Sequence, residues 1–250
     1  MECDDVLVPV GQDANITARL GLTDLFRLGF KLKGRVVRFR VDGGDIGEAR
    51  SAWDGCATVT FTPALEREYR VVATCLDVDG RQAAAVEATI FSRSTQREAI
   101  IVDIDRTLSE SSVLDSTFKR NKRISPLNDA ADVTRDLVQK YDLIIVTGRK
   151  RYLRRKTRRW LADNGFPPAP IYCSSFLRGP LRHERFKTKL IGELKHAWEN
   201  ITIGIGDRDS DARAYLANGL RAIILREKGC CPRGATMVSH WKGIRKILLG

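Results

Sequence analysis

The sequence predicts two domains of different class: an all-β sandwich over residues 1–95, then an α/β domain with a parallel sheet over residues 96–250. Three observations predict it. The chain has 250 residues, more than the roughly 100–150 of a typical single domain. Apolar residues alternate with period 2 as far as Ile90, whereas from Ala99 apolar strand-like runs alternate with stretches of helical period. Charge divides at the same place: residues 1–97 hold 13 Lys and Arg against 14 Asp and Glu, and residues 98–250 hold 30 against 17, so the whole excess of +12 belongs to the second part.

In the first part, Val6, Val8 and Val10 alternate, then Ala14, Ile16, Ala18 and Leu20, then Val37, Phe39 and Val41. After a weak segment near 48–53 come Ala57, Val59 and Phe61, then Tyr69, Val71, Ala73 and Cys75, and last Ala84, Val86, Ala88 and Ile90. Turn residues such as Asp42-Gly43-Gly44, Asp54-Gly55 and Asp79-Gly80 separate these runs, and about seven strands in a sandwich are expected. The Trp53-Asp54-Gly55-Cys56-Ala57-Thr58 turn and the Tyr69-Arg70-Val71-Val72-Ala73 strand resemble an immunoglobulin-like domain of the disulfide-independent bacterial sort. Polar residues 91–97 read as a linker.

In the second part, strands are expected over 99–105, 143–147, 170–173, 201–207 and 221–225. Ser125-Pro126 reads as a cap and first helical position, opening a helix with Ala130, Val133, Leu137 and Val138 on one face. Further helices are expected near 151–163, 186–198 and 209–218. Strands alternating with helices imply right-handed crossovers and a Rossmann-like parallel sheet, whose ligands bind beyond the carboxyl ends of the strands.

With 43% hydrophobic and 30% charged residues, a disordered, collagen-like or disulfide-stapled chain is excluded. No apolar run approaches the ~20 residues of a membrane span, and Met1-Glu2-Cys3-Asp4-Asp5 is acidic where a signal peptide is basic. A cytoplasmic protein is expected, peripheral at a membrane surface if the basic charge is used there. The six cysteines form no metal-ligand spacing, and a bridge between Cys56 and Cys75 is left open.

The strand ends carry the chemistry: Asp103-Ile104-Asp105-Arg106-Thr107, Thr147-Gly148-Arg149, and Gly206-Asp207-Arg208-Asp209-Ser210-Asp211. Carboxylates converging from two strands repel one another unless a cation lies between them, and hard oxygen donors of this number suit Mg²⁺. The Thr147 hydroxyl and the Gly148 amide can donate to phosphate oxygens, with a cationic side chain offsetting charge.

Asp103-x-Asp105-x-Thr107, Thr147, a downstream lysine and Gly206-Asp207-x-x-x-Asp211 resemble the four ordered motifs of the haloacid dehalogenase superfamily of phosphotransferases. The resemblance implies that Asp103 attacks phosphorus to give an aspartyl phosphate and that Asp105 protonates the leaving oxygen and later deprotonates water. It implies a metal set of Asp103, Asp105 through its carbonyl, Asp207 and Asp211, and a substrate-binding set of Thr107, Thr147, Gly148 and Arg149. Asp209, without a matching role, reads as a helix N-cap. Val102-Asp103-Ile104-Asp105, Phe186-Lys187 and Gly204-Ile205-Gly206-Asp207-Arg208 are most similar to the catalytic domain of lipin-type phosphatidate phosphatases, which selects Lys187 over Lys189. Arg106 departs from that pattern, which has glycine there. About 35 residues separate the first strand from the second and about 35 more separate Arg149 from Lys187, too few for a large cap domain, so an open site is expected unless the sandwich domain covers it.

The run from Arg149 to Arg159 has eight basic residues in eleven, with Leu153, Thr157, Trp160 and Leu161 on one helical face and most arginines outward. Beside Lys119, Arg120, Lys122 and Arg123, it suits a large phosphorylated substrate on an anionic membrane surface or nucleic acid. The latter has its own resemblance, to polynucleotide phosphatases of the same superfamily. A basic module that binds lipid or nucleic acid without catalysis is the alternative from a different class. Trp241, Ile244, Ile247 and Leu248 read as a helix docking on its own domain.

Overall fold

The computed structural model describes residues 1–22, 30–77, 79–111, 121–174 and 180–250. Lys119 and Arg120, expected near the site, lie outside the described residues. The chain divides into two units, Met1–Ser94 and Thr95–Gly250.

In the first unit the alternating residues become β1 (Glu2–Cys3), β2 (Val6–Pro9), β3 (Ala14–Arg19), β4 (Gly21–Leu22), β5 (Phe30–Lys31), β6 (Val36–Val41), β7 (Gly44–Arg50), β8 (Cys56–Phe61), β9 (Glu68–Leu76) and β10 (Gln82–Arg93). They form a three-stranded sheet, β1-β3-β8, and a five-stranded one, β2-β10-β9-β6-β7, with β4 and β5 pairing apart. All pairs are antiparallel except β2 with β10. Inward residues of both sheets, including Ile16, Val37, Phe39, Val71, Ala73 and Ile90, make one core. Each such large side chain contributes about 1.5–3 kcal/mol by its burial. Tyr69 fixes the entry to β9, its hydroxyl donating to the Leu65 carbonyl at 3.2 Å and accepting from the Leu65 amide at 2.9 Å, the tyrosine corner of Greek-key sandwiches. Val10 departs from the expected alternation: β2 ends at Pro9, and Val10 sits exposed in the turn. All six cysteines are unbridged.

The second unit contains β11 (Ala99–Val102), α1 (Ala130–Leu137), β12 (Asp142–Lys150), α2 (Arg154–Asp163), β13 (Ile171–Ser174), α3 (Pro180–Ala197), β14 (Ile201–Gly206), α4 (Asp209–Ala217), β15 (Arg221–Leu225), β16 (Thr236–Val238) and α5 (Trp241–Leu249). The sheet order is β13-β12-β11-β14-β15-β16, and every pair is parallel. From β11 the chain first builds outward through β12 and β13, then restarts on the other side at β14. That reversal leaves a crevice at the carboxyl ends of β11 and β14, where a doubly wound sheet binds its ligand. The core is a near-continuous apolar layer containing Ile100, Val102, Ile145, Ile205 and Ile223, as strands covered on both faces require.

Several boundaries differ from expectation for local reasons. α1 begins at Ala130 behind Asp129, which takes a left-handed conformation at φ 63°. Ser125-Pro126 do not open it: Pro126 pairs with Ser109 in an isolated bridge that closes the loop after β11. The fixed φ of proline suits an extended segment as well as a first helical turn. β16 was not anticipated, because three residues are too few to display a period. Leu153, Thr157, Trp160 and Leu161 are buried, but so is Arg154, and of the five arginines from 151 to 159 only Arg155 and Arg159 are exposed. A short 3-10 turn at Arg151–Leu153 offsets the start of α2 and rotates part of the basic run inward. α5 docks on its own unit through buried Trp241, Ile244 and Leu248. No helix among the described residues is long and apolar enough to cross a membrane.

Candidate active site

The regular part of β11 stops at Val102, although the Asp103 amide still donates to the Ile205 carbonyl at 2.9 Å. The chain then winds around one acceptor: the amides of Thr107, Leu108 and Ser109 donate to the Ile104 carbonyl at 3.1, 2.8 and 3.0 Å. The turn needs a left-handed residue, and Arg106 supplies it at φ 62°. A side chain in that region costs about 1 kcal/mol relative to glycine. From the far end of the unit, the Trp241 indole donates to the Thr107 carbonyl at 2.7 Å and holds the loop down.

The two carboxylates take different partners. Asp103 faces Lys187 and Asp211: Lys187 Nζ lies 3.0 Å from Asp103 Oδ1 and 2.7 Å from Asp211 Oδ1, with all three side chains buried. One carboxylate oxygen each from Asp103, Asp207 and Asp211 falls within 4.8 Å of the others. Asp211 also accepts from the Arg208 amide at 3.2 Å, capping α4. The helix thus begins at Asp209 with Arg208 as N-cap, so Asp209 is not the cap expected. Its carboxylate instead receives Arg226 at 2.9 Å.

Asp103 and Asp211 share the Lys187 ammonium, and Asp207 has only Arg208 at 3.9 Å among the described residues. Burial, reinforced by Asp211, Asp105 and Asp207 and opposed by Lys187, pushes Asp103 up to about 7. Burial and Asp211 push Asp207 up to about 6 against the pull of Arg208, Lys187 and Arg106. Lys187 is held well above its ordinary value, Asp103 and Asp211 outweighing its burial. Asp207 Oδ1 is buried and has no hydrogen-bond partner among the described residues. An excess of hard oxygen donors with one oxygen unsatisfied fits a divalent cation.

Asp105 belongs to a separate system. Arg149 grips it with Nη2 at 2.8 Å from Oδ1 and Nε at 3.1 Å from each carboxylate oxygen, both side chains being 2% exposed. The guanidinium also reaches Thr157 Oγ1 at 3.4 Å and Ser109 Oγ at 3.5 Å, and it lies over the Trp160 ring. Arg149 was expected to bind substrate; the structure spends its guanidinium on Asp105. The cause is β12, which continues through Lys150 instead of ending at Thr147 and shifts register against β13 on the way. The Thr147 hydroxyl accepts the Arg149 amide at 3.2 Å and stabilises this extension. Thr147 and Thr107 are fully buried, and Thr107 Oγ1 has no hydrogen-bond partner among the described residues. Gly148 is half-buried beside them. Lys189, the other lysine considered, is 80% exposed and pairs with Glu193.

Two features escaped the reading of the sequence. Tyr215 is buried beside Lys187 and donates to the Ile205 carbonyl at 3.0 Å. A Cβ at Gly204 would come within 2.3 Å of the Tyr215 ring, and one at Gly206 within 2.7 Å of Asp211, so both glycines are what lets α4 close on β14. The pair Gly204-x-Gly206 before the aspartates was the available signal.

A parallel sheet with buried carboxylates after β11 and β14 and a lysine between them defines a phosphotransfer-type site. The family model described as PITM 1-3, LNS2 domain, matches residues 100–223. The matched stretch contains Asp103, Lys187, Asp207 and Asp211. No curated protein matches the chain. Among solved structures, the cobalt-bound deoxy-D-mannose-octulosonate 8-phosphate phosphatase of Haemophilus influenzae is 17% identical over 62% of this chain and 88% of its own, with a TM-score of 0.43. The Pnkp1/Rnl/Hen1 RNA repair complex is 19% identical over 52% of this chain and 42% of its own, with a TM-score of 0.42. Fibronectin(III)-like modules of Clostridium thermocellum CbhA are 22% identical over 36% of this chain and 88% of their own, with a TM-score of 0.27. Likeness at this level bears on neither activity nor ligand.

Proposed function

We propose that the second unit is a Mg²⁺-dependent phosphatase that hydrolyses a phosphomonoester through an aspartyl phosphate on Asp103. The observation that carries the reading is the convergence of one carboxylate oxygen each from Asp103, Asp207 and Asp211, with Lys187 paired to the first and last and Asp207 Oδ1 left without a hydrogen-bond partner among the described residues. Asp103, Asp207 and Asp211 would hold the ion, and when bound it screens the carboxylates and polarises the phosphoryl group. An Asp103 oxygen forms the new bond to phosphorus as the bond to the leaving oxygen breaks, and Lys187 offsets charge on the phosphoryl oxygens. Water then attacks the phosphorus of the acyl phosphate, freeing phosphate and restoring the carboxylate.

Asp105 is the candidate base that takes the proton of the attacking water in the second half-reaction, a role that requires its buried pair with Arg149 to open. In the first half-reaction Asp105 can protonate the leaving oxygen only after the pair with Arg149 opens. For the substrate, the resemblance to lipin-type enzymes supports phosphatidate, presented on an anionic membrane surface; an end-phosphorylated nucleic acid is the competing class.

The test is phosphate release with Mg²⁺ from an aryl phosphate, phosphatidate in mixed micelles and a 5′-phosphorylated oligonucleotide. Turnover that is lost in Asp103→Asn is expected. Turnover that survives the substitution overturns the assignment, and salt-sensitive binding without any phosphate release favours a non-catalytic binding module.

A further inference from the structure

A cavity of about 490 Å³ opens beside Asp207, and its wall is cationic, with Arg106, Arg208, Arg213 and Arg226 facing Asp207 and Asp209. These arginines differ in what they have left to offer. Arg213 is committed to Glu184 at 2.8 and 3.1 Å. Arg226 is committed to the Asp209 carboxylate at 2.9 Å and to the carbonyls of Asp207 and Cys230 at 3.0 and 2.8 Å. Arg208 approaches Asp207 Oδ2 only at 3.9 Å and stays half exposed. Arg106 is exposed, and its side chain makes no hydrogen bond or ion pair with any described residue.

Arg106 also occupies the left-handed position of the turn that follows Asp103 and Asp105, where glycine is free of strain and arginine is not. An unspent guanidinium kept at a backbone cost beside the reacting group, over a cavity open to solvent, is the pattern of a ligand contact. The planar fork of a guanidinium matches a phosphate or carboxylate through two parallel hydrogen bonds.

We propose that Arg106, supported by Arg208, forms a subsite for a second anionic group of the substrate, so that a phosphomonoester is favoured when the same molecule carries another phosphate. This rests on the phosphatase reading above but not on phosphatidate, which carries one phosphate only. Bisphosphorylated molecules place one phosphate at Asp103 and the other in the arginine-lined cavity.

The experiment compares kcat/KM for adenosine 3′,5′-bisphosphate and adenosine 5′-monophosphate, with 4-nitrophenyl phosphate as the reference, in the wild type, Arg106→Gly and Arg106→Lys. The wild type is expected to prefer the bisphosphate, and Arg106→Gly to lose about tenfold of that preference, equivalent to about 1.4 kcal/mol, chiefly through KM. Arg106→Lys, which keeps charge but not the fork, falls between. Glycine accepts the turn geometry, so misfolding does not confuse the outcome. An unchanged preference in Arg106→Gly, or an equal loss on all three substrates, overturns the subsite. Should the wild type release phosphate from none of them, the phosphatase reading fails by itself. Thermal shift with Mg²⁺ then decides the subsite: stronger stabilisation by the bisphosphate that vanishes in Arg106→Gly upholds it, and equal stabilisation by the two nucleotides overturns it.

Discussion

Asp103 and Asp105 are two residues apart, yet they sit in opposite electrostatic situations. Asp105 has a private partner, since Arg149 satisfies both its oxygens and the pair is closed to water. Asp103 shares its lysine with Asp211, lies close to Asp207 as well, and is driven toward neutrality by burial. The balanced side needs nothing more, whereas the other is stable only with protons or a metal. One strand end thus separates a finished ion pair from an unfinished one, and the unfinished one is where chemistry belongs.

The largest effect should come from breaking the balanced side. Arg149→Met leaves Asp105 buried with no countercharge, and a loss of about 3–5 kcal/mol in unfolding free energy is expected. Adding Asp105→Asn to that variant should recover much of the loss; a double variant as unstable as the single one would show that Arg149 acts by packing on Trp160. The single variant should also lower turnover, because Arg149 no longer holds Asp105 in place.

The unbalanced side predicts a pH effect of known sign. Asp103 and Asp207 bind protons more tightly in the folded chain, at about 7 and about 6, than at the usual 3.8. Without metal, their contribution favours the fold at acid pH and is lost as pH rises from about 4 to about 7. Mg²⁺ competes for the same oxygens, so its stabilisation should be small at pH 5 and large at pH 7.5. Melting temperatures with Mg²⁺ and with EDTA across that range provide the measurement, and a gap that narrows as pH rises would count against the cluster as the metal site. The smallest effect concerns the loop joining the two sides: Arg106→Gly should raise stability by about 1 kcal/mol, or roughly 2–4 °C in Tm, by relieving the left-handed residue. A lower Tm would mean that the arginine contributes more by contact than its backbone costs.

What the sequence disclosed follows the same division. The convergence of Asp103, Asp207 and Asp211 was readable, because Asp103 and Asp207 end apolar runs that the order of elements brings to the crevice and Asp211 follows one helical turn later, whereas Lys187, in the middle of α3, was selected by the family resemblance alone. The Arg149 partnership was not, because it depends on β12 running three residues past Thr147, and no periodicity marks where a buried strand stops. Arg154 shows the limit of charge patterning: a dense basic run suggested an outward face, but the phase of α2 follows from the 3-10 turn before it. In the first unit the alternation of Ile16, Phe39, Val71 and Ile90 was sufficient for the core, whereas the parallel pairing of β2 with β10 joins segments too distant for any local signal.

The Trp241 indole holds the Thr107 carbonyl across 134 positions of sequence. During synthesis, at about 5–20 residues per second, the aspartate-bearing loop emerges many seconds before the helix that clamps it. A nascent chain carries every atom of the Asp103 motif without the geometry that makes it useful. The loop is therefore clamped only after α5 has left the ribosome and docked, and any lesion that unseats Trp241 returns the loop to that immature condition.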